Sequence, residues 1–346
     1  MNKSKVAIVT IVSYNYGNRL QNYALQTALE RLGAQVVTMR RDLSELKATS
    51  LFKTMMHALR NKTKYDKFAN FNRRIHWSTQ CLCPETKKKI NTDLFDYFIT
   101  GSDQVWNVTF PFISDIEFLS FAPAEKRISY AASFGISHIP EEYRSMVKAG
   151  LAEMKGISVR ENDGAAIVRS LTDRQVPVVL DPTLLLTSDE WEGVERKPDM
   201  DLPDDYIFTY FLGENRIHAF IEEEAAKESR RVVSLDLFDQ KVSDANIGPA
   251  EFIYLIHHAG LVVTDSFHGS VFSIIFRRPF VVGDRNTDEQ KMSSRIDTLL
   301  SMLGLEANRY NDSFDSAAVY NTNYDDVNLI IASKREEAIK YLKEQM

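Results

Sequence analysis

Between Leu261 and Gly283 the chain reads LVVTDSFHGSVFSIIFRRPFVVG, and this stretch limits the fold more than any other. Leu261, Val262 and Val263 form an unbroken apolar run, the pattern of a parallel strand covered on both faces. A polar switch follows from Thr264 to Ser270. An apolar helix pattern comes next, and a second strand after Arg277, Arg278 and Pro279. Strand, helix and strand at that spacing make a βαβ unit, which needs a parallel sheet with helices on its faces. Asp265, Ser266, His268, Gly269 and Ser270 then fall at the strand's carboxyl end, where open α/β sheets bind ligands. Gly269 and Ser270 are expected to open the helix, whose first N–H groups favour an anion. An imidazole beside an anion site suits chemistry on a phosphate or carboxylate, which makes His268 the first catalytic candidate. A plainer reading stays open, in which His268 is a buried histidine held by Asp265.

The same grammar runs through the rest of the chain. Val6 to Val12 reads as a strand, Leu20 to Leu32 keeps a helical period, Gly33 ends that helix, and Gln35 to Met39 is the next strand. Tyr16-Gly17-Asn18 stands where a dinucleotide-binding chain carries G-x-G-x-x-G, and no P-loop is present. Further strands are expected over Asp96–Thr100, Arg127–Ala132, Ile157–Val159 and Pro177–Leu180. Helices are expected over Pro140–Met154 and after Asn162, which is placed to cap its helix. Thr187 to Asp205 is charged and carries Pro198 and Pro203, the approach to a domain boundary. A second series follows: strand Tyr206–Leu212, helix Glu214–Ser229, strand Arg231–Leu235, helix Pro249–His258 and the opening stretch. Met292–Leu303 and Asp325–Gln345 read as helices.

The expected architecture is therefore α/β, with two Rossmann-like domains facing a central cleft. Residues 1–190 form the first, with a basic insertion over about 43–90, and 205–325 form the second. The helix at 326–346 is expected to pack back on the first.

A chain of 346 residues can supply two domains of ordinary size. Its net charge of −6 argues against general nucleic-acid binding. Basic residues gather between Arg40 and Lys89, as a solvated helical face or a peripheral contact with an anionic membrane surface. No run approaches the ~20 apolar residues that span a bilayer. MNKSKVAIVTIV leads into SYNYGNRLQN, not a small-residue cleavage site, and the two cysteines fit a reducing compartment. The expected location is the cytoplasm, with membrane contact at most peripheral. Cys81-x-Cys83 has no second pair, and no carboxylate or histidine set has metal spacing, so neither metal nor cofactor is expected. His257 and His258 fall on a helix and read as structural or exposed.

Three more clusters sit past strand ends. Gly101-Ser102-Asp103-Gln104-Val105-Trp106 offers a carboxylate, an amide and an aromatic ring, which suit a sugar; the alternative is a turn capped by Asp103 with Trp106 in the core. Asn15, Gly17, Asn18 and Gln21 lie around a helix start and could hold a ligand, unless Asn18 is an ordinary cap. Arg160 could grip a carboxylate or phosphate with two prongs, or pair with Glu161 or Asp163. Lys291, Ser293 and Arg295 follow a polar loop and could bring positive charge to a phosphate.

Six segments in order, YGNRLQNYALQ, ITGSDQVWN, YAASFG, ISVREND, VLDPTLLL and TDSFHGSVFSIIFRRPFV, resemble the polysaccharide pyruvyl transferase family. The resemblance runs from Val6 to about Leu303. It implies a GT-B-like fold and transfer of a pyruvyl group from phosphoenolpyruvate to a pair of sugar hydroxyls, giving a ketal in cell-surface polysaccharide. It implies that Arg160 and His268 are donor-site residues and that Gly17-Asn18 and Gly101 to Trp106 are cleft walls. Some members carry an arginine two places before the histidine; here that place is Ser266, and Lys291 or Arg295 would compensate.

Taken with the strand-end positions, this gives a catalytic set of His268, Arg160 and Asp103. The donor side is Ser266, Gly269, Ser270, Lys291 and Arg295. The acceptor side is Asn15, Gly17, Asn18, Gln21, Ser102, Gln104 and Trp106. His268 suits a general acid toward the methylene carbon, and Asp103 a base for the acceptor hydroxyl. The expected partners are phosphoenolpyruvate and a saccharide or lipid-linked saccharide, with no nucleic acid. Two rival readings remain: a glycosyltransferase using a nucleotide sugar, and a non-catalytic carbohydrate-binding or assembly protein.

Overall fold

Parallel pairing organises both halves of the chain. The computed structural model describes residues 3–41, 62–83, 87–214, 216–235, 247–285 and 294–346. The chain divides into two units: Met1–His57, Asn72–Leu185 and Ser333–Met346 in the first, Ala58–Phe71 and Leu186–Ala332 in the second.

In the first unit β1 (Lys5–Val9), β2 (Gln35–Arg41), β3 (Trp77–Leu82), β4 (Tyr97–Thr100) and β5 (Arg127–Ser129) lie in the order β3-β2-β1-β4-β5. Every neighbouring pair is parallel. Single parallel bridges, Ile128 to Gly156, Ala132 to Val159 and Val159 to Val178, carry the ladder past β5, where strands at Ile157–Val159 and Pro177–Leu180 were expected. The helix Tyr16–Arg31 starts earlier than its apolar period suggests, because Asn15 caps it: the Asn15 side chain accepts from the Asn18 amide at 3.2 Å. Asn18 is thus inside the first turn and is not the cap. Likewise Glu161, not Asn162, precedes the helix Asn162–Thr172. The core is aromatic: Trp106 stacks on Phe118 with ring centres 5.4 Å apart and packs against Phe134 at 5.1 Å.

In the second unit β6 (Tyr206–Tyr210), β7 (Arg231–Ser234), β8 (Leu261–Thr264) and β9 (Phe280–Val282) take the order β7-β6-β8-β9, again all parallel. Leu261, Val262 and Val263 are at most 1% exposed, as a strand covered on both faces requires. Each such side chain contributes about 1.5–3 kcal/mol through its burial. The helix Pro249–His257 has proline in its first turn, and the helix Phe267–Ile275 is buried along its whole length. Lys67, on the helix Lys62–Asn72, reaches the buried Glu251 carboxylate at 2.7 Å.

The last helix, Tyr324–Gln345, enters the first unit from Ser333 onward. There the Tyr341 hydroxyl donates to the Ser129 carbonyl at 2.9 Å, and Arg335 Nε donates to the Leu184 carbonyl at 3.0 Å. Among the described residues no helix is long and apolar enough to cross a membrane. Within the basic insertion, residues 43–61 and 84–86 lie outside the described residues.

These strand orders fix where ligands can bind. In each sheet the order reverses direction once, between β1 and β4 in the first and between β6 and β8 in the second. At such a reversal the following loops diverge to opposite faces and leave a crevice at the carboxyl ends.

Candidate functional residues at two strand-order reversals

At the first reversal the loops after β1 and β4 are tied into one buried polar network. The Gln21 amide donates to Thr10 Oγ1 at 2.8 Å, and its Oε1 accepts from the Ser102 backbone at 3.0 Å. The Asn18 amide donates to Asp103 Oδ2, and Ser13 Oγ donates to Asn18 Oδ1. Arg160, at the end of the neighbouring ladder, donates to Asp181 Oδ2 at 2.7 Å and to Asp103 Oδ1 at 3.4 Å. Ser102 Oγ donates to the same Asp181 oxygen at 3.0 Å, while Asp181 Oδ1 accepts from the Thr183 amide and hydroxyl.

The Arg160 and Asp181 side chains are 1% and 0% exposed. Burial alone lowers the Arg160 pKa, but the carboxylates of Asp181, Asp103 and Glu161 outweigh it and hold it above its ordinary value. The guanidinium is therefore charged and holds two carboxylates in place. To grip a donor anion it would have to exchange one of them. Arg19, nearby on the Tyr16–Arg31 helix, is pushed down to about 10 by burial, with Asp103 acting against the shift, and it stays charged at neutral pH.

The backbone of this loop is shaped to present Asp103. Gly101 sits at φ +118, and a Cβ there would lie 2.1 Å from the Tyr130 carbonyl oxygen. Asp103 itself sits at φ +67, a left-handed conformation that aspartate tolerates better than most residues. Gly101→Ala is expected to cost about 1–3 kcal/mol, because the clash is with backbone that cannot turn aside. Urea denaturation checks this; a midpoint within error of the parent chain would contradict the geometry.

Trp106 is not a sugar platform. Its ring is fully buried against Phe118 and Phe134, and its indole N–H donates to the Glu117 carbonyl at 3.1 Å, so it anchors the loop from below. The aromatic exposed near this end is Tyr14, at 55%, in the β1 loop. Gln104 is half-buried and accepts from the Asn107 amide at 2.8 Å. Gly17 is buried in the first helical turn, and Asn15 is half-buried as the cap.

At the second reversal Asp265 joins the loops after β6 and β8. Its two oxygens accept from the Leu212 and Gly213 amides, each at 2.7 Å. Arg285, past the end of β9, donates to the same carboxylate at 3.1 Å and to the Asp265 carbonyl at 3.1 Å. Gly213 makes room for it, since a Cβ there would meet Arg285 Cγ at 2.8 Å. Asp265 thus gives both oxygens to loop amides and Arg285, not to a structural clasp on the imidazole.

The next helix begins at Phe267, ahead of the expected Gly269, because Ser266 caps it: its hydroxyl accepts from the Gly269 amide at 3.3 Å. Ser270 Oγ turns back to the Ser266 carbonyl at 3.1 Å, so it too supports the turn. Gly269 packs on β8, where a Cβ would fall 2.6 Å from Thr264 Oγ1. His268 lies in this first turn, 7% exposed, with its ring edge-on to Phe267 at 5.3 Å. Arg295 is buried in the helix Ser294–Leu303. Lys291 and Ser293 lie outside the described residues.

The structure thus brings Asn18, Gln21, Ser102, Asp103 and Arg160 together in the first unit, and Ser266, His268, Gly269 and Ser270 together in the second. Two members are not among the residues expected from the sequence. Asp181 stands just past the strand expected at Pro177–Leu180, inside VLDPTLLL, and Arg285 follows the end of β9; a position just past a strand is the signal that marks both.

Comparisons with known proteins agree with this architecture. A UDP-GlcNAc 2-epimerase from Neisseria meningitidis, solved bound to UDP-GlcNAc, has a TM-score of 0.55 at 11% identity, covering 99% of this chain and 100% of that one. A Listeria monocytogenes protein described as a UDP-N-acetylglucosamine 2-epimerase gives 0.54 at 11% identity, covering 96% and 91%. Likeness at this identity speaks for the fold, which is GT-B-like. No curated protein sequence matches the chain. The family model for polysaccharide pyruvyl transferase matches residues 15–285, from the Asn15 cap to Arg285. The second strand-order reversal lies within that span, as does the first apart from β1 and residues 10–14, and the chain belongs to the polysaccharide pyruvyl transferase family.

Proposed function

We propose that the chain transfers a pyruvyl group from phosphoenolpyruvate to two hydroxyls of a cell-surface saccharide or its lipid-linked precursor, forming a ketal and releasing phosphate. The observation that carries this reading is the second reversal, where His268 occupies the first turn of a helix beside the Asp265–Arg285 pair, within a chain of this family. The balance is simple. A proton adds to the methylene carbon of the donor, one hydroxyl adds to C2, phosphate leaves, and the second hydroxyl closes the ketal. Of the two hydroxyl protons given up, one replaces that added to carbon and the other leaves with phosphate.

His268 is the general acid in this reading. The helix start and Arg285 meet the phosphate, so Arg285 supplies the charge that Ser266 does not. Asp103, held by Arg160 and Asn18, accepts a proton or hydrogen bond from the acceptor hydroxyl. Arg160 is a positioning residue here, acting through Asp103, with Asp181 fixing its other prong. Tyr14 is the exposed ring at the acceptor end.

Calorimetry with phosphoenolpyruvate and with UDP-GlcNAc separates the readings. The pyruvyl reading expects saturable binding of phosphoenolpyruvate alone. UDP-GlcNAc binding in its place would shift the assignment to nucleotide-sugar chemistry. Arg285→Gln is expected to weaken phosphoenolpyruvate binding roughly tenfold or more, the value of one charge-assisted contact. Unchanged affinity would remove Arg285 from the donor site.

A further inference from the structure

Glu195, His257 and His258 lie in the second unit, apart from the residues of the second reversal described above. The helix Pro249–His257 ends at two adjacent histidines. Glu195, 62 residues earlier in the chain than His257, faces both. Its Oε2 lies 2.9 Å from His257 Nδ1 and its Oε1 lies 3.2 Å from His258 Nε2. One ligand atom from each of the three residues falls within 4.8 Å of the others, a grouping found once among the described residues.

We propose that these three side chains form a zinc site. The use of Nδ1 by one histidine and Nε2 by the next lets sequential residues reach a common point, since Nδ1 sits close to the backbone and Nε2 far from it. Donor atoms bound at roughly 2.1 Å to a tetrahedral ion lie about 3.4 Å from one another, so little movement separates the present arrangement from a coordinated one. Two imidazoles and a carboxylate are the donor set that zinc takes when one position stays open to water.

The rings are already fixed for this. His257 stacks on Phe276 with centres 4.2 Å apart, and His258 stacks on Tyr254 at 4.0 Å. The other nitrogen of His257, Nε2, points toward Glu192 Oε1 at 3.9 Å, the outer carboxylate that orients a metal-bound histidine. The three side chains are 15%, 18% and 40% exposed, buried enough to be ordered and open enough for an ion to enter. The Arg196 amide, beside Glu195, also bonds to the Ala250 carbonyl at 3.1 Å, so the bound ion would clamp this connection to the helix. The proposal is independent of the pyruvyl reading.

The test is zinc titration of the chelator-stripped full chain by calorimetry, with cobalt absorption as a second probe. The proposal expects one equivalent of zinc, a melting midpoint that rises with zinc, and a cobalt spectrum without thiolate charge transfer. Replacing both Cys81 and Cys83 by serine should leave all three unchanged. Glu195→Gln, which keeps the shape of the clasp, and His258→Ala should each abolish the bound equivalent. Glu192→Gln should weaken it ~10–100-fold. No saturable zinc binding would overturn the proposal and leave a hydrogen-bonded clasp. So would zinc binding that survives Glu195→Gln and His258→Ala, or that vanishes with the two cysteines.

Discussion

With His268 replaced by alanine, pyruvyl transfer is expected to fall ~10²–10⁴-fold, the usual cost of losing a general acid. The expectation rests on position. His268 stands in the first turn of the buried helix after β8, at the carboxyl end of a central strand and at the strand-order reversal. Its neighbours are committed elsewhere: Ser266 caps the helix, Ser270 bonds back to Ser266, and Asp265 holds the Leu212 and Gly213 amides together with Arg285. No other residue of that turn is left with a side chain able to deliver a proton near neutral pH. If His268 is the acid, the affinity for phosphoenolpyruvate should survive the substitution far better than turnover. If it only grips phosphate, affinity and turnover should fall together. His268→Gln keeps volume and hydrogen bonding, and phosphate release with that variant separates chemistry from packing. Undiminished release would leave His268 a structural role.

Asp181→Ala is expected to lower the unfolding free energy by about 3–5 kcal/mol. The side chain is fully buried and holds Arg160 at 2.7 Å, Ser102 Oγ at 3.0 Å and both donors of Thr183. Its removal takes away the nearer of the two carboxylates bonded to the buried guanidinium, Asp103 standing farther off at 3.4 Å, and strips an acceptor from the Thr183 amide and hydroxyl. Asp181→Asn keeps the shape and part of the hydrogen bonding, so it should cost less in stability. Transfer should still suffer in the asparagine variant, because Arg160 would lean harder on Asp103 and make it a weaker base. Urea denaturation of both variants checks the first point, and turnover of the asparagine variant checks the second. A loss below about 1 kcal/mol for the alanine variant, the range of an exposed ion pair, would contradict the buried-network account.

What could be read from the residues alone follows physical lines. β8 and its helix were legible because a strand buried on both faces must be continuously apolar, and Asp265 to Ser270 breaks that run abruptly. β3 was not. It is an edge strand whose burial alternates irregularly, and WSTQCL sits among basic residues that obscure its pattern. The apolar period of the Tyr16–Arg31 helix begins only at Leu20, whereas its start is set by Asn15 and followed by polar side chains that are buried: Asn18, Arg19, Gln21 and Asn22. Burial of polar groups leaves no hydropathy signal.

The same reason hid the centre of the first site. Asp103 and Arg160 were singled out from their places at strand ends, but their joint dependence on Asp181 is a contact across the sheet that spacing cannot show. Trp106 had two readings in sequence, and the packing against Phe118 and Phe134 decides for the core. His257 and His258 are neighbours on one helix, but Glu195 lies 62 residues before His257, and spacing cannot show that the three meet.

Proton NMR of the reaction in heavy water tests the proposed building of a ketal from phosphoenolpyruvate. The substrates are phosphoenolpyruvate and the lipid-linked saccharide pool of the cells that make the protein. The expected result is loss of the two methylene signals, growth of a methyl signal on a carbon bearing two sugar oxygens, and incorporation of one solvent deuterium in that methyl. One phosphate is released per ketal, and His268→Ala slows both ~10²–10⁴-fold. Phosphate release without a ketal methyl, or consumption of a nucleotide sugar with phosphoenolpyruvate untouched, would contradict it.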